Sequence, residues 1–251
     1  MEVRPDQSPA ILQYPASSLA ADEVHVWRAR LDIPQPAADS LLNLLNPEEQ
    51  DRAAKFKFPE PRNIFVISRA FLRSALGAYL KTSPRELRFW TTSHGKPELT
   101  GHPDLRFNLS HTEGMAVLGI VRQREIGIDV ESLTREVNTL ELADRFFSAV
   151  EAKWVRSQPE SEQTRAFLYC WTAKEAYVKA HGEGLSLPLD GFSVIPTLQP
   201  SPLHLDVFGD ASESARWSMW QLEMPAGFCA ALGVEGGGYT LRYGDWPAFG
   251  Q

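Results

Sequence analysis

Two short segments of this chain have the residue types and spacing for phosphoryl chemistry. In Ile126–Glu131 a strand's two-residue period puts Gly127, Asp129 and Glu131 on one face and Ile126, Ile128 and Val130 on the other, toward a core. Two carboxylates on one strand face repel unless water or a metal bridges them. Hard oxygen ligands suit Mg²⁺, which takes one or two carboxylates together with substrate phosphates. Gly127 marks a place where something bulky approaches the backbone. In Trp171–Lys179 a helix brings Glu175 and Lys179, four residues apart, onto one side, with Trp171 one turn before them. A glutamate beside a tryptophan is partly dry, and a metal or Lys179 would hold it charged. The bland alternatives are an edge strand whose acids face water and a surface ion pair worth about 0.3–0.5 kcal/mol. Lys174 either serves the same site or is solvated.

Asn108-Leu109-Ser110-His111 lies between two strands. A histidine at a strand end can donate to a phosphate or stack on a base, whereas Asn108 and Ser110 in a turn would bond their own backbone. Arg52 and Lys96 are single basic residues that read equally well as solvated surface.

The elements that must position these residues follow from pattern. Val24–Ala29 alternates as a strand. Asn46-Pro47-Glu48-Glu49 starts a helix, and Ile64–Leu80 is an amphipathic one. Ser93–Pro97 is a turn. Leu105–Leu109, Met115–Val121 and the 126–131 segment are strands. Helices follow over Thr139–Phe147, Ala149–Arg156 and Thr164–His181, the last ending near Gly182. Phe192–Ile195, Leu203–Phe208, Trp217–Glu223 and Phe228–Val234 are strands. The first twenty residues read as a loose lead-in, and the glycine- and aromatic-rich stretch from Gly236 onward as a tag or floppy end. The order predicts an α+β fold. It is a pseudo-twofold pair of similar subdomains, 1–122 and 123–251, each a small antiparallel sheet on a long helix, with the active site in the cleft between them.

A net charge of −7 argues against a general nucleic-acid binder. With 43% apolar and 23% charged residues, the composition is that of a globular protein with a sizeable core. The two cysteines, Cys170 and Cys229, form no CxxC pair and predict neither a disulfide framework nor a zinc site. Cys170 reads as a buried thiol. Met1–Ala10 has no apolar signal-type core, and Met115–Val121 is too short to span a bilayer. The expected compartment is the cytoplasm, with no membrane partner.

Taken together, the blocks carry a resemblance. Asn46-Pro47-Glu48-Glu49 with Arg52, Gly95-Lys96-Pro97, Phe107–His111, Ile126–Glu131, Arg145-Phe146-Phe147-Ser148 with Glu151, Trp171–Lys179 and Gly182–Leu189 resemble a 4′-phosphopantetheinyl transferase of the group that activates surfactin synthetase, which also includes the human cytosolic enzyme. The blocks span roughly residues 46–195, and the pairing of Gly-Ile-Asp-Val-Glu with Trp-Thr-Ala-Lys-Glu-Ala is specific to that superfamily.

The resemblance implies that a serine of an apo acyl or peptidyl carrier protein attacks the phosphorus bearing pantetheine in coenzyme A, releasing adenosine 3′,5′-bisphosphate. It puts Asp129, Glu131 and Glu175 on the family's Mg²⁺ ligand positions, with Mn²⁺ as a possible substitute. Lys179 falls on the lysine that contacts the phosphates. Arg52, the Thr91–Lys96 turn, Asn108, Ser110 and His111 fall on positions that hold coenzyme A, Arg52 and His111 at its 3′-phosphoadenosine end. Glu151 matches an acid of the family. The base that takes the serine proton is left open among Glu175, a water on the metal, and Glu151 acting through a water. Acids precede Arg52 here where some relatives are more basic, so Lys55 and Lys57 would share the 3′-phosphate. Arg135, Val137 and Leu140 form the expected carrier-docking surface, and the length matches the monomeric subclass. The competing readings are a non-catalytic coenzyme A or nucleotide-binding module and a metal-dependent pyrophosphohydrolase.

Overall fold

The computed structural model describes residues 10, 11 and 18–247. In chain order the elements are β1 (Ala10–Ile11), β2 (Glu23–Arg30), α1 (Gln35–Ser40), α2 (Pro47–Ala54), α3 (Pro59–Leu80), β3 (Phe89–Thr91), β4 (Pro97–Leu99), β5 (Leu105–Thr112), β6 (Met115–Arg122) and β7 (Ile126–Ser132). There follow α4 (Thr139–Phe146), α5 (Ala149–Ser157), α6 (Glu160–His181), β8 (Phe192–Val194), β9 (Ser201–Leu203), β10 (Leu205–Val207), α7 (Ala211–Arg216), β11 (Trp217–Gln221), β12 (Phe228–Glu235) and β13 (Thr240–Asp245). The α+β class is as expected. No helix among the described residues is long and apolar enough to cross a membrane.

The chain divides into two compact units. One holds the described residues up to Leu87 together with those from Gly238 onward, and the other is Arg88–Gly237. The expected division after residue 122 falls inside the second unit, because β7 is knitted to the hairpin that precedes it. The Asn108 side chain in β5 accepts from the Ile128 backbone N–H at 2.8 Å.

In the first unit α3 begins before the expected Ile64. Pro59 and Pro61 fill its first turn, where a missing N–H costs nothing. Asn46 and Glu49 form a capping box at the start of α2. The buried Glu49 carboxylate also pairs with Arg69 and Arg73 of α3, at 2.5 Å each. Burial alone would raise this carboxyl, but the two guanidiniums overcome it and hold it below its ordinary value. The acid that precedes Arg52 is therefore turned inward and leaves that surface less negative than the sequence suggests.

Two expectations need correction in this unit. The stretch after Gly236 is not loose, since Thr240–Asp245 is a strand, and its sheet is not antiparallel. β13 pairs parallel with both β1 and β2. Parallel neighbours need a long crossover, and everything from α1 to β12 lies in that connection. Trp27 locks the arrangement. Its Nε1 donates to Tyr79 Oη of α3 at 2.8 Å, and its ring lies where a Cβ on Gly244 would meet it at 2.2 Å. Of the expected lead-in, Ala10–Ile11 is β1, and residues 1–9 and 12–17 lie outside the described residues, as do residues 248–251 of the expected tail.

In the second unit β5 and β6 form an antiparallel hairpin, and β7, β12, β11 and β9 an antiparallel sheet in that order. α6 packs across β7 and β12, and a pair of glycines allows it. Gly127 and Gly233 face each other across the two strands. A Cβ on Gly127 would meet Ala180 N at 2.1 Å and Ala176 O at 2.2 Å, and one on Gly233 would meet Met219 Sδ at 2.8 Å. The bulky object expected near Gly127 is the backbone of α6. Small residues on both sides bring helix and sheet together, and Ala173, Ala176 and Ala180 are fully buried there. Cys170 and Cys229 are free thiols packed in the aromatic cluster of Phe147, Phe167 and Trp171.

Candidate active site

β5 runs on to Thr112, beyond the expected end at Leu109, so Ser110 and His111 are strand residues and not part of a turn. The consequence is a polar ladder in step with β7. Asn108, Ser110 and Thr112 share one face of β5. Asn108 receives the Ile128 N–H, Ser110 Oγ donates to Asp129 Oδ1 at 2.8 Å, and Thr112 Oγ1 donates to Glu131 Oε2 at 3.4 Å. Every residue of β7 is buried, Asp129 5% and Glu131 9% exposed, which removes the edge strand with water-facing acids.

α6 closes over this face. Between Trp171 and Ala180 only Trp171, Glu175 and Lys179 are half-exposed, a stripe with a four-residue spacing on an otherwise buried helix. Lys179 Nζ reaches down to Asp129 Oδ1 at 2.5 Å and Ser110 Oγ at 3.2 Å. The other oxygen, Asp129 Oδ2, is buried and has no hydrogen-bond partner. Arg135, in the turn after β7, pairs with Glu131 Oε1. Burial raises the carboxyl of Glu131, with Asp129 adding to it and Arg135 opposing. Burial likewise raises Glu175, Lys179 opposing and Asp129 and Glu131 adding. The three acids thus feel one another's charge across the strand–helix junction. Among the described residues no three His, Cys, Asp or Glu side chains are gathered tightly enough to cage an ion as they stand. The donor set is nonetheless all oxygen, with an orphaned buried carboxylate atom in it, which suits a hard cation.

Glu175 stands on the wall between two cavities. One, of about 280 Å³, is lined by His94, Lys96, Asn108, Glu175, Lys179 and Gly184 among others. The second, of about 210 Å³, adds Arg145, Phe146, Leu187, Pro188 and Leu189 around the same Glu175. A turn roofs the first cavity. Thr92 Oγ1 accepts from Lys96 N at 3.1 Å, and Gly95 takes φ +87°. Lys96 itself is half-buried and spent on structure, donating to Glu125 Oε2 and to Ile126 O, both at 3.0 Å. Burial lowers its ammonium, with Glu125 opposing. Thr91 is exposed at the end of β3. His111, out of phase with Ser110 on β5, is exposed. Protein still walls enough of the ring to push its pKa below the usual imidazole range, the Lys179 charge acting in the same direction. Arg52 belongs to the first unit, where its guanidinium lies 4.8 Å over the Phe65 ring.

Glu151 is the expected site residue that does not join this group. It is fully buried with both oxygens taken. Oε1 accepts from Lys174 at 2.9 Å and the Val194 N–H at 2.8 Å, and Oε2 from Lys174 at 2.7 Å and from the Ser148 N–H and hydroxyl. Lys174 in turn donates to Phe192 O at 2.8 Å and sits 4.0 Å over the Phe192 ring. Neither a free base nor a solvated lysine, the pair is a clamp that fixes α5 and β8 to α6.

Residues 125–233 match the model of the 4′-phosphopantetheinyl transferase superfamily, and residues 34–121 that of the 4′-phosphopantetheinyl transferase N-terminal region. The chain is 36% identical to 4′-phosphopantetheinyl transferase HetI of Nostoc sp. over 233 residues, covering 91% of this chain and 94% of that protein. The chain belongs to the 4′-phosphopantetheinyl transferase family. It is also 34% identical to 4′-phosphopantetheinyl transferase Sfp of Bacillus subtilis, over 64% of this chain and 70% of that protein. A crystal structure of Thermotoga maritima holo-[acyl-carrier-protein] synthase aligns over 45% of this chain and 62% of that one, with a TM-score of 0.35 and 21% identity.

Several residues that shape the site of this phosphopantetheinyl transferase escape a reading of the sequence. Thr112 was visible in principle as the third polar residue at alternate positions after Asn108 and Ser110. Arg135 follows Glu131 by four residues, but in a turn, where that spacing carries no meaning. Gly233 announces itself only once its pairing with Gly127 is known.

Proposed function

We propose that this chain transfers the 4′-phosphopantetheine arm of coenzyme A to a serine of an apo acyl or peptidyl carrier protein, releasing adenosine 3′,5′-bisphosphate. One observation carries the reading. A buried aspartate with a free oxygen, two carboxyls raised by burial and by that aspartate, and a lysine reaching over them converge beside a cavity. Asp129, Glu131 and Glu175 would hold a divalent cation, Mg²⁺ or in its place Mn²⁺, whose contribution when bound is to neutralise the diphosphate oxygens.

The chain's own residues do the rest. Lys179 trades its Asp129 partner for a phosphate oxygen. Ser110 and Thr112 hold the two strand carboxylates in orientation. His111 and Thr91 are the remaining coenzyme A contacts on this unit, while Asn108 and Lys96 act by tying β5 and the 92–96 turn to β7. The serine hydroxyl attacks the phosphorus bearing pantetheine, and the bond from that phosphorus to the bridging oxygen breaks. Glu175, whose raised carboxyl faces the cavity, accepts the serine proton. Glu151 has no free lone pair for that task and is assigned the clamp. All the proposed metal ligands and Lys179 come from one unit of one chain, which supports action as a monomer. Two unpaired buried thiols support a reducing compartment such as the cytoplasm.

Product analysis tests the reaction class. Adenosine 3′,5′-bisphosphate should form only when an apo carrier is present. Its release without any acceptor would mean hydrolysis, and coenzyme A binding without turnover on any carrier would mean a non-catalytic module.

A further inference from the structure

Two side-chain cations stand on the strand carboxylates, and they are not equivalent. Lys179, 30% exposed on the half-exposed stripe of α6, shares Asp129 Oδ1 with Ser110. Arg135 holds Glu131 Oε1 from a turn closed by its own N–H on Ser132 O at 3.1 Å. The guanidinium is 50% exposed while its carboxylate partner is 12% exposed, so the arginine can leave into water at little cost and the glutamate cannot. With Thr112 on Oε2, Glu131 has both oxygens occupied, whereas Asp129 keeps one open.

We propose that Arg135 is a displaceable counter-ion: it neutralises Glu131 in the free chain and is released onto the carrier-facing surface when a divalent cation takes that carboxylate. The inference rests on the metal reading given above. A guanidinium and a divalent cation repel, and both seek the same oxygen, so loading the cation removes the arginine's strongest partner. The released charge emerges in the segment Leu133–Leu140, which holds the partly exposed Leu140 and whose other charge is Glu136. In a chain of net charge −7, this supplies a local positive group to an acidic partner only once the site is charged. Cation loading would therefore precede carrier docking.

The test is Mn²⁺ binding to the full chain, read from the paramagnetic resonance of free Mn²⁺, with and without coenzyme A. It is run for the wild type, Arg135→Gln and Arg135→Lys. Removing the competitor should tighten Mn²⁺ about two- to fivefold in Arg135→Gln, with Arg135→Lys close to wild type. In the same samples, Mn²⁺ should strengthen binding of an apo carrier protein to the wild type and not to Arg135→Gln. Equal Mn²⁺ affinity in wild type and Arg135→Gln overturns the counter-ion role. Tighter Mn²⁺ with carrier binding unchanged by either variant overturns the release. A wild type that binds no Mn²⁺ even with coenzyme A overturns the metal reading beneath both.

Discussion

Asp129 carries one oxygen bonded twice and one bonded to nothing, and its neighbours Glu131 and Glu175 are both raised. A raised carboxyl binds its proton better folded than unfolded. Its stabilising share is full below the unfolded pKa and is lost as pH rises through the folded one. At neutral pH these acids therefore work against folding in the metal-free chain. Glu175→Gln should raise Tm by about 1–2 °C at pH 7, a gain reduced by solvent screening that disappears below about pH 4.5, while transfer is lost. A lower Tm at pH 7 would contradict the electrostatic picture. The clamp behaves in the opposite way. Lys174→Met strands a fully buried Glu151 and should cost about 3–5 kcal/mol in chemical denaturation. A loss below about 1 kcal/mol would mean that the pair is not load-sharing. Sequence could find Asp129, Glu131, Glu175 and Lys179 because strand and helix periods fix which side chains share a face. It could not separate Glu151 from them, because an acid in a capping box and an acid at a site look alike until burial is known.

The decisive elements are β7 and α6, and what joins them is an absence of side chains. Gly127 lets the helix backbone approach until no Cβ fits, and Gly233 levels the neighbouring strand. Gly127→Ala should force α6 off the sheet, costing about 3 kcal/mol or more and moving Lys179 away from Asp129. Near-normal stability by denaturant titration would contradict this packing. Gly127 was legible because a glycine inside a strand pattern asks for a reason. The extension of β5 through Thr112 was not, since Ser, His and Thr ahead of Glu113-Gly114 read as a turn. Tertiary pairing with β6 and the contacts to Asp129 and Glu131 override that local preference.

At the scale of the whole molecule, the second unit was far more legible than the first. Its site residues fall in ordered motifs, whereas the first unit depends on a strand from the far end of the chain. Loop-like glycines at 236–238 disguised that strand, and nothing local could reveal its parallel partner. Removing residues 238–251 should expose the surface now covered by Tyr243 and Trp246, about 3–6 kcal/mol of burial, and lower Tm by at least about 6 °C. An unchanged Tm would show that β13 is dispensable. The central claim is the transfer itself, and its most direct test is the intact mass of an apo carrier protein after incubation with this chain, coenzyme A and Mg²⁺. The account predicts a gain of roughly 340 Da, one phosphopantetheine arm, that is absent with Glu175→Ala. No gain on either an acyl or a peptidyl carrier, or a gain that survives that substitution, would contradict it.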